Sequence, residues 1–250
     1  MRSAARQHDA GVGQSKTKRR IVVKLSGRIF SEEEPTELAK FADLLFELSE
    51  NDVQPIAIAG GGKFARHYIQ LARKFGQDEA SLDMLGIEVS RLNAKLLSAA
   101  IESRDFDNPR VYHTVPTDLE QVFAAASSGK IVVTGGLHPG QSTNATAALI
   151  AEKVRAAEFL NATDVDGIYD SDPRKNRNAK MFKEISVSRC MELLSSENAS
   201  AGSYDLMDIV ALKVIERSKI PTLVLKSDTS LLRNAVLLGN NQSSGTRIVP

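Results

Sequence analysis

The chain has no tryptophan, a single cysteine, few aromatic residues and no excess charge of either sign. Each shortage removes a class of protein. One thiol, Cys190, allows neither an intramolecular disulfide nor a cysteine-rich metal site, which fits a reducing cytosol. It falls in a stretch with helical spacing and reads as a structural thiol. No run of about 18 apolar residues is present, so no transmembrane helix is expected, and the first residues lack the apolar core of a secretory signal. The 32 Lys and Arg against 31 Asp and Glu give a formal net charge of +1. That balance gives no whole-chain argument for nucleic acid or a membrane surface and leaves small charged ligands open. A soluble, cytoplasmic protein is expected.

What remains is ample for a folded core: 250 residues, 42% of them hydrophobic, suit one large α/β domain or two small ones. Residues 1–20 are polar, rich in Gly, Ser, Lys and Arg and almost free of acids, and read as a flexible basic tail ahead of a single domain over 21–250. Within that domain short apolar runs alternate with helical patterns. Strands are expected at 21–25, 56–59, 111–114, 131–134, 159–162, 222–225 and 247–249. Helices are expected at 36–51, 63–75, 81–103, 118–127, 143–159, 186–194 and 205–218. In the helix over 81–103, Leu82, Leu85, Val89, Leu92, Leu96 and Leu97 recur at helical spacing and read as core wall. Strands alternating with long helices imply a mostly parallel central sheet covered on both faces, a three-layer αβα sandwich. Ligands of such sheets sit beyond the carboxyl ends of the strands.

The chemistry-bearing residues cluster in loops at those ends. After the second strand come Gly60, Gly61 and Gly62, then Lys63 and, one helical turn on, Arg66. Glycines bring backbone N–H groups close to an anion, and the following helix adds its partly positive N-terminus. Arg66 offers paired donors to phosphate oxygens, although most helix arginines are simply solvated. Lys24 ends the first strand beside Ser26 and Gly27; a lysine there needs an anion or a route to solvent. Asp83, some twenty residues past the glycines, can accept from ribose hydroxyls or offset a helix dipole. Thr134 to Thr143 forms a longer loop of glycines and hydroxyls suited to a second ligand. Its His138 reads as a hydrogen-bonding or exposed residue more readily than as a base. Residues 161–173 are dense in acids and turn formers. A Walker A loop is absent, since Gly62-Lys63 is followed by Phe64. Gly60-x-Gly62-x-x-Ala65 matches a loose dinucleotide fingerprint but follows the second strand instead of the first.

Together these pieces resemble the amino-acid-kinase family, in particular its archaeal-type uridylate kinases. The pieces are Lys24-Leu25-Ser26-Gly27, Gly60 to Arg66, Leu82 to Ile87 with Arg91 to Ala94, Thr134 to Thr143, Val165 to Tyr169 with Ser171-Asp172-Pro173, and Gly245-Thr246. The resemblance implies transfer of the γ-phosphoryl of ATP to UMP, with Mg²⁺ bound through the ATP phosphates and no separate protein metal site. By family role, Lys24, Gly27, Gly62 and Arg66 would hold ATP phosphates or the transferring group, with Lys24 and Arg66 catalytic. Thr163, Asp164, Tyr169 and Asp172 would line the adenine and ribose pocket. Gly61 and Asp83 would contact UMP, and Leu137, His138, Pro139, Gly140, Gln141, Ser142 and Thr143 would wrap its base and phosphate. The N-terminal part would carry mainly the UMP site and the C-terminal part mainly the ATP site. A homohexamer is implied, without nucleic-acid or membrane partners. Two positions depart from the family pattern: Asn144 stands where many relatives have aspartate, and Asp164 where they tend to have Asn or Lys. Sister kinases of isopentenyl phosphate or acetylglutamate, and a non-catalytic nucleotide-binding protein, are the rival readings.

Overall fold

The computed structural model describes residues 18–31, 35–171, 173, 176–195, 207–239 and 245–250. Strand β1 (Arg19–Leu25) starts two residues inside the expected tail, because Arg20 is tied down at the amino end of the sheet. Its guanidinium donates to Gln54 Oε1 at 3.1 Å and to the Val154 carbonyl at 3.0 Å. The remainder of the proposed tail, 1–17, lies outside the described residues. Helix α1 (Thr36–Glu50), β2 (Val53–Ala59), α2 (Gly62–Lys74), α3 (Glu79–Glu102), α4 (Leu119–Ala126) and β3 (Val132–Thr134) follow. Then come α5 (Thr143–Lys153), β4 (Glu158–Thr163), β5 (Glu184–Ser186), α6 (Val187–Ser195), α7 (Ile209–Ser218), β6 (Thr222–Lys226), α8 (Thr229–Arg233) and β7 (Thr246–Val249).

The strands form one seven-stranded sheet in the order β3-β2-β1-β4-β6-β7-β5, parallel throughout except where β7 runs against β6. Side chains alternate across it as strand geometry demands. Ile21 and Val23 join a core with Phe41, Leu45 and Leu97 under α1, α3 and α8, whereas Val22, Ile56 and Phe159 face α4, α5, α6 and α7. The three-layer αβα sandwich expected from the alternation is the observed architecture. Cys190 is buried in the second of these layers, and burial pushes its thiol up to about 12.

Four expectations are corrected. The strand at 111–114 reduces to a single parallel bridge between Val111 and Ile131. The helix expected to run to 159 ends at Lys153, because Arg155 turns the chain with a φ of 53° so that Phe159 can enter β4 between β1 and β6. Helix α7 starts at Ile209, where the Asp208 carboxylate caps it through Ala211 N–H at 2.9 Å; its expected first residues, 205 and 206, lie outside the described residues. Within α3, Leu82 and Leu97 are buried, but Leu92 is 65% exposed and Leu96 50%. The helix carries two apolar faces, and only one packs on the sheet.

Candidate active site

Because β1, β2, β3, β4 and β6 run in the same direction, the loops after Leu25, Ala59, Thr134, Thr163 and Lys226 gather along one edge of the sheet. The chain winds outward from β1 to β3 in one direction and from β4 to β6 in the other. A crevice at such a reversal is where ligands of open α/β sheets bind. Lys24 lies at this point, in register with Ile58 on β2 and Asn161 on β4.

The loops after β1 and β2 touch backbone to backbone. A Cβ on Gly27 would stand 2.1 Å from Gly62 N, and one on Gly62 would stand 2.2 Å from the Gly27 carbonyl oxygen. Gly62 also has a φ of 65°, a left-handed conformation that side chains disfavour. Asn93, buried on α3, donates to the carbonyls of Gly60 at 2.8 Å and Gly61 at 3.4 Å. The turn is thereby held open at the N-terminus of α2, whose first N–H groups lack intrahelical partners and favour an anion.

On the β2–β3 side lies a cleft of about 640 Å³, lined by Gly61, Gly62, Ala65, Arg66, Ile69, Asp83, Gly86, Ile87, Ser90, Gly136, Gln141 and Thr143. Its far wall, the loop after β3, is pinned to α3 by side chains. Ser90 Oγ accepts from Gly136 N–H at 2.7 Å, and Asp83 Oδ2 accepts from Gly140 N–H at 2.7 Å. The Arg91 guanidinium donates to the carbonyls of Gly136 and Leu137. Of the seven consecutive residues expected around the acceptor, Gln141 and Thr143 line the cleft. Leu137 is buried in the core, His138, Pro139 and Gly140 are exposed, and Ser142 caps α5. Arg66 and Gly62, expected on phosphates, open into this same cleft beside Gly61 and Asp83.

On the β4–β6 side a smaller polar cleft of about 360 Å³ is lined by Ser26, Arg28, Ile29, Glu37, Thr163, Asp164, Lys226 and Ser227. Ser26 Oγ donates to Asp164 Oδ1 at 3.1 Å, and Ser227 N–H donates to the Thr163 carbonyl at 2.7 Å. Beyond it, Tyr169 bridges to Met181, and partial burial, helped by the Asp166 carboxylate, raises its phenol above the ordinary range. Thr246 fixes the intervening turn by accepting from Ile168 N–H at 2.8 Å. Asp172 lies outside the described residues. Sequence reasoning quotes Arg28 in the loop after the first strand without a role and omits Lys226 and Ser227; a second cation ending a buried strand, as Lys24 does, is the available signal for Lys226. It had quoted Arg91 and Asn93 as motif pieces without a role, and Ser90 not at all.

A two-lobed crevice walled by glycine loops at the strand ends of a mostly parallel sheet defines a class, and the comparisons agree with it: residues 19–226 match the amino acid kinase family, and the chain belongs to that family. Within it, the chain is similar to the uridylate kinase of Sulfolobus acidocaldarius, 39% identical over 233 residues that make up 92% of this chain and 99% of the relative. The uridylate kinase of Pyrobaculum arsenaticum is 41% identical over 224 residues, 90% of this chain and 97% of that one. Among solved structures, uridylate kinase from Archaeoglobus fulgidus superposes with a TM-score of 0.80 at 35% identity, covering 92% of this chain and 99% of that chain.

Proposed function

We propose that the protein is a UMP kinase, an ATP-dependent phosphotransferase of pyrimidine nucleotide biosynthesis that makes UDP and ADP. The observation that carries this reading is the pair of clefts meeting across the Gly27–Gly62 contact, in a chain that aligns over nine-tenths of its length with uridylate kinases. UMP occupies the larger cleft, with its ribose on Asp83, its phosphate near Gly61 and Thr143, and its base against the loop over 137–143. ATP lies on the smaller side along Thr163, Asp164 and Tyr169, its phosphates reaching Lys24, Gly27, Gly62 and Arg66; Asp172, outside the described residues, joins the ATP ligands by family resemblance alone. The N-terminal half thus serves mainly the acceptor and the C-terminal half the donor.

A phosphate oxygen of UMP attacks the γ-phosphorus, and the bond from that phosphorus to the β,γ-bridging oxygen breaks, leaving ADP. The attacking oxygen is already anionic, so the reaction needs alignment and charge neutralisation more than a base. Lys24 and Arg66 supply positive charge where it spreads over the equatorial oxygens. By family resemblance Mg²⁺ would enter on the ATP phosphates, adding further charge neutralisation. The exposed apolar side chains of α2, its C-cap and α3, Tyr68, Leu71, Phe75, Leu92 and Leu96, support a homo-oligomer, a hexamer by family resemblance. No helix among the described residues is long and apolar enough to cross a membrane, and a cytoplasmic location is proposed.

An ADP-release assay offered UMP, CMP and isopentenyl phosphate tests the reading: UMP should be the preferred acceptor. Preference for isopentenyl phosphate would assign a sister activity, and no turnover with any acceptor would favour a binding protein.

A further inference from the structure

The hydroxyl of Ser142 is fully committed before any ligand arrives. It accepts N–H groups from Asn144 and Ala145, both at 3.0 Å, closing the first turn of α5. Its proton goes to Oδ2 of Asp208. A hydroxyl has one donor and two acceptor sites, so nothing remains for a substrate. The other Asp208 oxygen accepts from Ala211 N–H and caps α7. One hydrogen-bonded chain therefore runs from the start of α7, through a carboxylate and a hydroxyl, to the start of α5.

Only the α5 end of this chain reaches the crevice; Ser142 and Asp208 themselves line a separate hollow with Gly140, Ala145 and Met207. Thr143, first residue of α5, lines the larger cleft with Gly61, Gly62 and Arg66. Met207, next to Asp208, lies 3.9 Å through its sulfur from Asn161 Nδ2, and Asn161 is the register partner of Lys24 on β4. A carboxylate acceptor makes the bond to Ser142 stronger than a neutral one would, and it offsets the partial positive charge of both helix ends.

We propose that Asp208 is a positioning residue for the acceptor. By holding Ser142 it sets the distance of Gln141 and Thr143 from the Gly61–Gly62 turn, and so the seat of the acceptor phosphate. The inference rests on the UMP reading for the identity of that acceptor. A bare helix cap at Asp208 is the rival account, and substitution separates the two. Asp208→Ser retains a residue that caps helices as well as aspartate does but is too short to bridge to Ser142, and Ser142→Gly removes the hydroxyl at a cap position that tolerates glycine.

The expected result is a KM for UMP raised roughly tenfold in each variant, the KM for ATP within about twofold of wild type, and a double variant no worse than either single. Asp208→Asn, which keeps an acceptor oxygen, should bring the KM back to within about threefold of wild type. In the ligand-free enzyme, amide exchange over 140–146 should quicken in Asp208→Ser while α7 stays protected. An unchanged KM for UMP, additive losses in the double variant, or unaltered exchange over 140–146 would each overturn the proposal. Failure of the wild-type enzyme to phosphorylate UMP would defeat the UMP reading alone, and the exchange measurement would still decide the role of Asp208.

Discussion

The two lobes of the crevice are built differently. The larger one is assembled from backbone in van der Waals contact, from buried hydrogen bonds of Asn93 to the glycine turn and Ser90 to the loop after β3, and from a part-buried one of Arg91 to that loop. Apart from the buried Thr163, the smaller one is lined mainly by exposed or half-exposed polar side chains joined by single contacts, such as Ser26 to Asp164 and a 3.9 Å approach of Lys226 to Asp166. Buried hydrogen bonds hold one geometry, whereas solvated ones contribute little and yield readily. Under the proposed assignment of UMP to the larger lobe, acceptor selectivity resides where the scaffold is stiff, and the donor side can adapt to its nucleotide.

Substitutions can break or sharpen that contrast. The contact shared by both lobes should be the most sensitive. Lys24→Ala should lower kcat by about 10³-fold with the KM for ATP changed less than about fivefold, since its interaction strengthens as charge moves in the transition state. Equal losses in kcat and ATP affinity would move Lys24 from catalysis to binding. Gly62→Ala should reduce kcat/KM for both substrates by at least ~100-fold and lower the melting temperature by roughly 5 °C, from backbone strain and collision with Gly27. Retention of activity there would show that the two loops can separate.

Smaller effects should divide by lobe. Asn93→Ala leaves the Gly60 carbonyl without its donor in a buried site, and urea unfolding should show a loss of about 1–3 kcal/mol. Its kinetic cost should fall on UMP. Asp164→Asn, on the donor side, should alter the KM for ATP by no more than about threefold and leave UMP untouched. A larger response at Asp164 than at Asn93 would invert the comparison.

Much of the fold was legible because periodicity reports burial: β1, β2 and α1 have unbroken apolar faces, and the alternation of elements implied the parallel sheet. The edge was harder to read. Strand β5 has three residues and one buried side chain, so no alternating pattern exists to find. Leu92 and Leu96 on α3 mimic core spacing while facing outward, since spacing reports an apolar face and not what covers it. At the site, Gly62 and Lys24 were marked by chemistry unusual for their elements. Ser90 and Asp208 were not, because a serine within a helix and an aspartate ahead of one are common, and their significance lies in partners 46 and 66 positions away.

The place of β1 in the sheet has a consequence for how the chain is made. Its first neighbour, β2, is synthesised soon after it, but its second, β4, begins only at Glu158. Until then the central strand presents an open edge, the kind of surface that recruits stray strands. A nascent chain halted between β3 and β4 should self-associate or engage a chaperone, and one extended past Lys226 should not; comparing the aggregation of the two stalled chains would measure how long this vulnerability lasts.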